Sequence, residues 1–352
     1  MLPYFIILII VTSLAFLAKK IKKSSFFFNF LILIILTFFA GLRSLKVGAD
    51  TSGYAHNFES INTDYNNFID FRSNIEMGYS LLEYVTSLFS NSYVTILTVV
   101  ALIALYFQLK SIKKLSKESV ISIFVFITFG IYTFIFNGAR QGIAAAIFMY
   151  ALTFLIGGQF WKYLLLIIIA WSFHKSVIIA IPLYFVFRIK FTKKWFLLLL
   201  IGSTTTFYLF RSIISFSGFI NSRYLAFLFK EDQGGQYLTL CYTMLSIFFI
   251  TIRSKIKEEY KFEYDIYLNM FLFSTIIYIL VYLSGAYIEI TRIGFYFLTS
   301  AVFIWPLIFK SFTQKKSILL FLGFAILQIT YFYVYLNKIG GLFPYYLNND
   351  IF

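Results

Sequence analysis

The sequence predicts an all-α polytopic integral membrane protein with about 12 transmembrane or re-entrant helices. Three observations predict it. Of 352 residues, 60% are hydrophobic and 22% aromatic, with a mean hydropathy of +0.83, far beyond a soluble globule. There are only four prolines, so long apolar runs go uninterrupted. The charged residues gather in short runs between apolar stretches whose lengths approach the roughly 20 residues needed to cross a bilayer. No internal repeat and no Pro-rich or Ser-rich linker divides the chain. Residues 1–352 therefore read as a single polytopic domain, with extracytoplasmic loops at 43–91 and 211–236.

The first apolar run, Leu2–Ala18, is followed by Lys19-Lys20-Ile21-Lys22-Lys23 rather than a small-residue cleavage site, and reads as a first span. Ser25–Leu42 is the second. The chain then turns polar and aromatic. Gly48-Ala49-Asp50-Thr51-Ser52-Gly53-Tyr54 is turn-like and offers carboxylate, hydroxyl and aromatic groups together, a set suited to a sugar; a solvated connector is the plainer alternative. Met77, Leu81, Leu82, Val85 and Phe89 recur near helical spacing, as in an amphipathic helix lying on the outer interface.

Ser92–Leu109, Val120–Phe136 and Gln141–Ile156 follow as spans. Trp161–Phe187 is 27 residues, too long for one comfortable crossing and too short for two full ones. Its ends keep a consistent topology only as a hairpin, Trp161–Phe173 and Val177–Phe187, whose tip holds His174, Lys175 and Ser176. Non-helical backbone at that depth needs protein or a hydrated cavity around it. Trp195–Phe210, Tyr237–Ile252, Ile266–Ser284, Ile293–Phe309 and Ile318–Leu336 complete the set. The loop between Arg211 and Gln236, with Arg223 and Tyr224, has the length of a lid but no motif.

The net charge of +15 does not indicate nucleic acid, because the charges lie between spans and obey positive-inside topology. With the N-terminus outside, twenty of the thirty Lys and Arg residues fall in inner loops, and only two of those are arginine. Outside remain Arg43, Lys46, Arg72, Arg140, Lys175, Arg211, Arg223, Lys230, Arg292 and Lys338. Topogenesis accepts lysine as readily. Arginine's planar fork, however, suits bidentate binding of phosphate or carboxylate. Pairing with the outer acids Asp50, Glu59, Asp64, Asp70, Glu76 or Glu289 is the alternative for any one of them.

The stretch Asn137–Pro182 stands out within this plan. Arg140 opens one apolar segment and His174 closes the next, which brings both towards the same face. A cation deep in a bilayer costs roughly 2.5–3.5 kcal/mol on insertion scales, and such groups usually face a cavity. The pair has the chemistry to hold an anion and move a proton.

Soluble-enzyme motifs are absent: no P-loop, no dinucleotide fingerprint, no His-Glu-X-X-His, and no Asp-X-Asp pair. The two histidines, His56 and His174, are too few to suggest a metal site, and the single cysteine, Cys241, reads as a packing residue in an apolar run. Neither metal nor cofactor is expected. Any catalysis would then rest on arginines.

Several pieces taken in order resemble the Wzy/EpsG-type polysaccharide polymerases of bacterial envelopes. They are Gly41-Leu42-Arg43, the Gly48–Tyr54 run, Glu76-Met77-Gly78-Tyr79, the run from Phe136 through Asn137, Arg140 and Gln141 to Ala146, and Ser172-Phe173-His174-Lys175-Ser176 before Pro182. Thr291-Arg292 and Pro344-Tyr345-Tyr346 close the pattern, which spans nearly the whole chain. The resemblance implies an enzyme of the plasma (inner) membrane, facing the periplasm or outside, that polymerises undecaprenyl-diphosphate-linked oligosaccharide repeats into O-antigen or related polysaccharide. It also implies membrane lipid as an environment and a chain-length regulator protein as a partner.

That chemistry needs a leaving diphosphate stabilised, an acceptor hydroxyl activated and a lipid route. Preorganised guanidinium groups supply the first without metal, Arg140 and Arg292 foremost, with Arg43 and Arg211 next and Arg72 and Arg223 as further contacts. His174 is the best base, since an unperturbed imidazole titrates near 6.5; Asp50 or Glu76 is the alternative, the other then binding sugar hydroxyls. Gln141 and Tyr54 complete the expected substrate contacts. Three competing functions share these features. A lipid-linked oligosaccharide flippase would grip diphosphate without chemistry, but commonly shows repeat halves. An O-antigen ligase-like enzyme differs only in its acceptor. A membrane-bound acyltransferase would place its histidine towards the cytoplasm, opposite to the lysine distribution.

Overall fold

The computed structural model describes residues 1–61, 75–216, 235–286 and 288–348. Among them the chain is helical, with no strand and one isolated bridge, Arg43 to Leu347. Eight helical stretches are long and apolar enough to cross a membrane: Leu2–Lys20, Lys22–Gly41, Tyr93–Leu115, Ser119–Phe136, Ala139–Ile156, Gln236–Lys255, Glu258–Ser284 and Ile318–Lys338. A pair bent by 43°, Ile288–Leu298 and Ala301–Ser311, makes a ninth when counted as one broken span. All twelve apolar segments expected from the sequence fall on helices. The hairpin segments are shorter pieces, Phe160–Trp171 and Lys175–Phe187. The expected outer loops are described only in part, since residues 62–74 and 217–234 lie outside the described residues.

Within what the sequence reads as one domain, two compact units are distinguishable: Met1–Ile181 with Thr313–Phe352, and Pro182–Phe312. The first contains α1 (Leu2–Lys20), α2 (Ser25–Gly41), α3 (Thr51–Glu59), α4 (Met77–Ser87), α5 (Tyr93–Leu115), α6 (Ser119–Thr128), α7 (Ala139–Ile156) and α8 (Phe160–Trp171). A 3₁₀ turn, Lys175–Ile179, leads into α9 (Ala180–Phe187), along which the chain passes to the second unit. There follow α10 (Lys193–Phe216), α11 (Gln236–Ile252), α12 (Glu258–Ser284), α13 (Arg292–Leu298) and α14 (Ala301–Ser311); α15 (Gln314–Lys338) returns to the first unit.

In the first unit α7 is the central helix. It packs against α5 on one side and α8 on another, and its run of Gly142, Ala144, Ala145 and Ala146 is buried. Small side chains let backbones approach closely where lipid offers no hydrophobic drive. A Cβ on Gly142 would meet Ile135 Cγ2 at 2.7 Å. Around this core, α1, α2 and α15 present Ile9, Phe26, Phe27, Leu319, Ile326 and Leu327 outward, as lipid-facing helices do. The amphipathic helix expected over 77–89 is α4, which exposes Met77, Leu81 and Val85 and buries Tyr79 and Glu83.

Three lysines mark one end of this unit. There Lys19 pairs with Glu118 at 2.7 Å, and Lys114 donates to the Tyr150 hydroxyl at 3.1 Å. Lys110 lies 5.0 Å above the Tyr150 ring. Arg140 is ten residues back along α7, about 15 Å away at 1.5 Å per residue, at the opposite end.

In the second unit α12 is the buried helix. Its Asp265 takes both Arg253 Nε (2.6 Å) and Nη2 (2.7 Å), and accepts the Phe191 N–H at 3.1 Å. Asn269 donates to the Phe187 and Ile189 carbonyls, satisfying orphan acceptors at the end of α9.

Candidate active site

Three sequence motifs far apart in the chain meet at the N-terminus of α7. Arg140 stands in the first turn, after the N-cap Gly138. A cation there opposes the helix dipole, which favours a compensating anion nearby. Glu76 supplies it: its Oε2 accepts from Arg140 Nη1 at 2.6 Å. The other oxygen, Oε1, lies 3.1 Å from His174 Nδ1 and accepts the Lys175 N–H at 3.4 Å.

Each residue is delivered by a local break in helix. Glu76 is the N-cap of α4 in extended conformation; its carbonyl accepts the Tyr79 and Ser80 N–H groups at 3.0 Å. Its side chain makes no cap bond and so reaches across to the other motifs. His174 sits where α8 ends, also extended, and precedes the 3₁₀ turn. The two breaks are tied directly. Gly78 N–H donates to the Ser172 carbonyl at 2.7 Å, and a Cβ on Gly78 would stand 2.4 Å from Ser172 Oγ.

Burial is graded across the cluster. The Glu76 side chain is 9% exposed, His174 27% and Arg140 34%. The carboxylate is thus the inner member, and the two bases keep surface towards solvent. Burial opposes ionisation of Glu76, but the His174 hydrogen bond and the Arg140 charge outweigh it and hold the carboxyl down at about 2. The ring of Tyr79 lies 6.4 Å from that of Tyr54, and the Tyr54 hydroxyl is within electrostatic reach of both Arg140 and Arg43.

Arg43, expected to touch substrate, is 1% exposed, and its contacts in this structure are with protein. Its guanidinium donates through Nη1 to the Ala40 carbonyl and through Nε to Val47 O and Thr51 Oγ1, both at 3.3 Å. It also lies 4.4 Å above the Phe136 ring. Burial pulls it down to about 10, and the surrounding tyrosines work the other way. Around it the C-terminal segment closes on the early motif. Ser44 N–H donates to Tyr346 O, Asn348 N–H to Leu42 O, Gly48 N–H to Gly341 O and Ala49 N–H to Gly340 O, all at 2.9 Å. Gly48 has φ +95°, and an added Cβ would meet Phe136 O at 2.9 Å. Asn137 donates to Gly340 O at 2.9 Å, three residues before Arg140. Thr51 of the Gly48–Tyr54 run and Gly340 therefore brace the residues leading into α7, and Tyr345 and Tyr346 tie the C-terminal segment to the end of α2 and the residues after it.

The remaining expected residues are placed as follows. Asp50 occupies the N-cap position of α3, where its carbonyl accepts the Tyr54 N–H at 3.1 Å. Gln141 is buried on α7. Arg292 belongs to the second unit, at the first turn of α13, ion-paired with Glu289. Arg72 and Arg223, with the side chain of Arg211, lie outside the described residues.

Three residues that the sequence reading gave no site role take part. Gly78 and Ser172 form the clamp, and Lys175 adds an exposed ammonium beside His174. A glycine at the second position of a helix, where propensity disfavours it, is the signal that could have found the clamp.

A protein-family model described as the EpsG family matches residues 25–347. None of the curated proteins and none of the solved structures compared with the chain matches it.

Proposed function

The chain belongs to the EpsG family, and on that premise we propose that it is a polysaccharide polymerase joining undecaprenyl-diphosphate-linked oligosaccharide repeats by glycosyl transfer on the outer face of the bacterial plasma membrane. The observation that carries this reading is the Arg140–Glu76–His174 cluster at the end of the first unit opposite Lys110 and Lys114. In one step the acceptor hydroxyl gives its proton to His174 Nε2 and its oxygen bonds to the anomeric carbon. The bond from that carbon to the diphosphate oxygen breaks, and the electron pair leaves with the polyprenyl diphosphate. Arg140 meets the developing charge with Nε and Nη2, since Glu76 takes only Nη1 among the described residues.

The charge balance adds a requirement. With Glu76 ionised, the Arg140–Glu76 pair is close to neutral, so a diphosphate needs more positive charge than this pair supplies. Lys175, exposed and one residue from His174, provides it in this reading.

The test is purified protein in nanodiscs with a synthetic undecaprenyl-diphosphate oligosaccharide repeat and excess EDTA. A ladder of products, lost in Arg140→Ala and His174→Ala, supports the assignment. Unchanged repeat, together with its movement across proteoliposome membranes, would assign transport instead.

A further inference from the structure

Glu76 sits between the two residues just given chemical roles, and three ways of using it compete. A sugar-binding carboxylate needs an oxygen open to substrate, but the Glu76 side chain is only 9% exposed, with Oε2 facing Arg140 and Oε1 facing His174 and the Lys175 N–H. A general base needs a pKa near the working pH, and Glu76, held at about 2, is far too weak. What remains is orientation. We infer that Glu76 is a positioning residue that fixes the His174 tautomer, with the proton on Nδ1 and the lone pair on Nε2, and at the same time aims Arg140.

The argument is electrostatic. An ionised carboxylate can only accept, so the ring nitrogen 3.1 Å away must carry hydrogen. The neutral imidazole has one N–H, so Nε2 is left bare as the proton acceptor. A second support keeps the contact in register: the Lys175 N–H and the Gly78–Ser172 hydrogen bond hold the two chain breaks against each other. The carboxylate is more buried than either residue it orients, which suits a group that never meets substrate.

The inference rests on the polymerase reading for its catalytic meaning, but its test does not need turnover. The protein has two histidines, so a His56→Gln background leaves His174 as the sole imidazole. With ¹⁵N-labelled histidine in nanodiscs above the titration range, we expect a protonated Nδ1 and a bare Nε2. We expect this tautomer to be lost in Glu76→Ala. In the ladder assay Glu76→Ala and Glu76→Gln should lower kcat on the order of 10²-fold, with Glu76→Asp recovering part of it. Protonated Nε2 in the parent, an unchanged tautomer in Glu76→Ala, or full turnover in Glu76→Ala would each overturn the inference. A correct tautomer that disappears in Glu76→Ala, in a protein that makes no polymer, would uphold the positioning role and reject the polymerase reading.

Discussion

The Gly78 N–H points at the Ser172 carbonyl from 2.7 Å, with no room for a side chain on the glycine. This contact joins the Glu76 motif to the His174 motif, 98 residues apart. Gly78→Ala would push a Cβ to 2.8 Å from a backbone oxygen that no rotamer change can move. Overpacking of this kind costs about 1–3 kcal/mol. Lower thermal stability in detergent and a reduced polymerisation rate are expected together. Gly53→Ala is the control, because nothing lies within 4 Å of its position in α3. A helical Gly→Ala there should be neutral or stabilising by up to about 1 kcal/mol.

Arg140→Lys keeps a charge for Glu76 but loses the planar fork that reaches a second anion. The rate of ladder formation should fall at least 10-fold, with Glu76→Gln and Arg140→Lys less than additive when combined because they share one contact. Full polymer output from Arg140→Lys would count against bidentate recognition of diphosphate.

Glu76 also predicts a pH dependence. Its folded pKa, about 2, is below the value near 4.3 of a free glutamate, so its contribution to stability is complete above the unfolded value. It is lost as pH falls through the interval down to about 2. Thermal unfolding of the wild type should therefore weaken across that acid window, and Glu76→Gln should lack this part of the slope while being less stable at neutral pH. Melting curves between pH 6 and pH 2 distinguish them.

Arg43→Met tests the brace. The substitution removes the donor to the Ala40 carbonyl, at a cost of about 1–3 kcal/mol for a buried acceptor left without a partner, whereas the Val47 carbonyl keeps its bond from Thr51 Oγ1. Loss of folded protein or a large drop in melting temperature is expected. Where folded protein can be recovered, KM for the lipid-linked repeat should change little if the buried Arg43 serves the fold alone. A raised KM with unchanged stability would return Arg43 to the binding surface.

Much of this was legible in one dimension. Apolar run length located the helices, and the awkward 27 residues of Trp161–Phe187 exposed a break at His174, where the helix does end. Arg140 and His174 were recognisable as costly polar groups in or beside apolar sequence, and Glu76 as an acid of the polar outer insertion. Their convergence was not, since residues 64 and 98 positions apart leave no periodic trace of contact. The fate of Arg43 was equally hidden. An arginine bonded to backbone carbonyls and one facing a cavity have the same sequence signature, because carbonyls are everywhere and only the path of the chain decides which are near.

The closure of the C-terminal segment on the early motifs has a consequence for biosynthesis. Tyr345 stacks on Phe39 at 4.2 Å, 306 residues upstream, and Asn137 waits for Gly340, 203 residues downstream. During translation, α7 and the hairpin are inserted long before the peptide that props them exists. Arg140 and His174 would thus spend the intervening time in a half-built bundle, and the support that Gly340 gives to the start of α7 would be in place only once the ribosome has delivered the last turn of α15 and the residues beyond it.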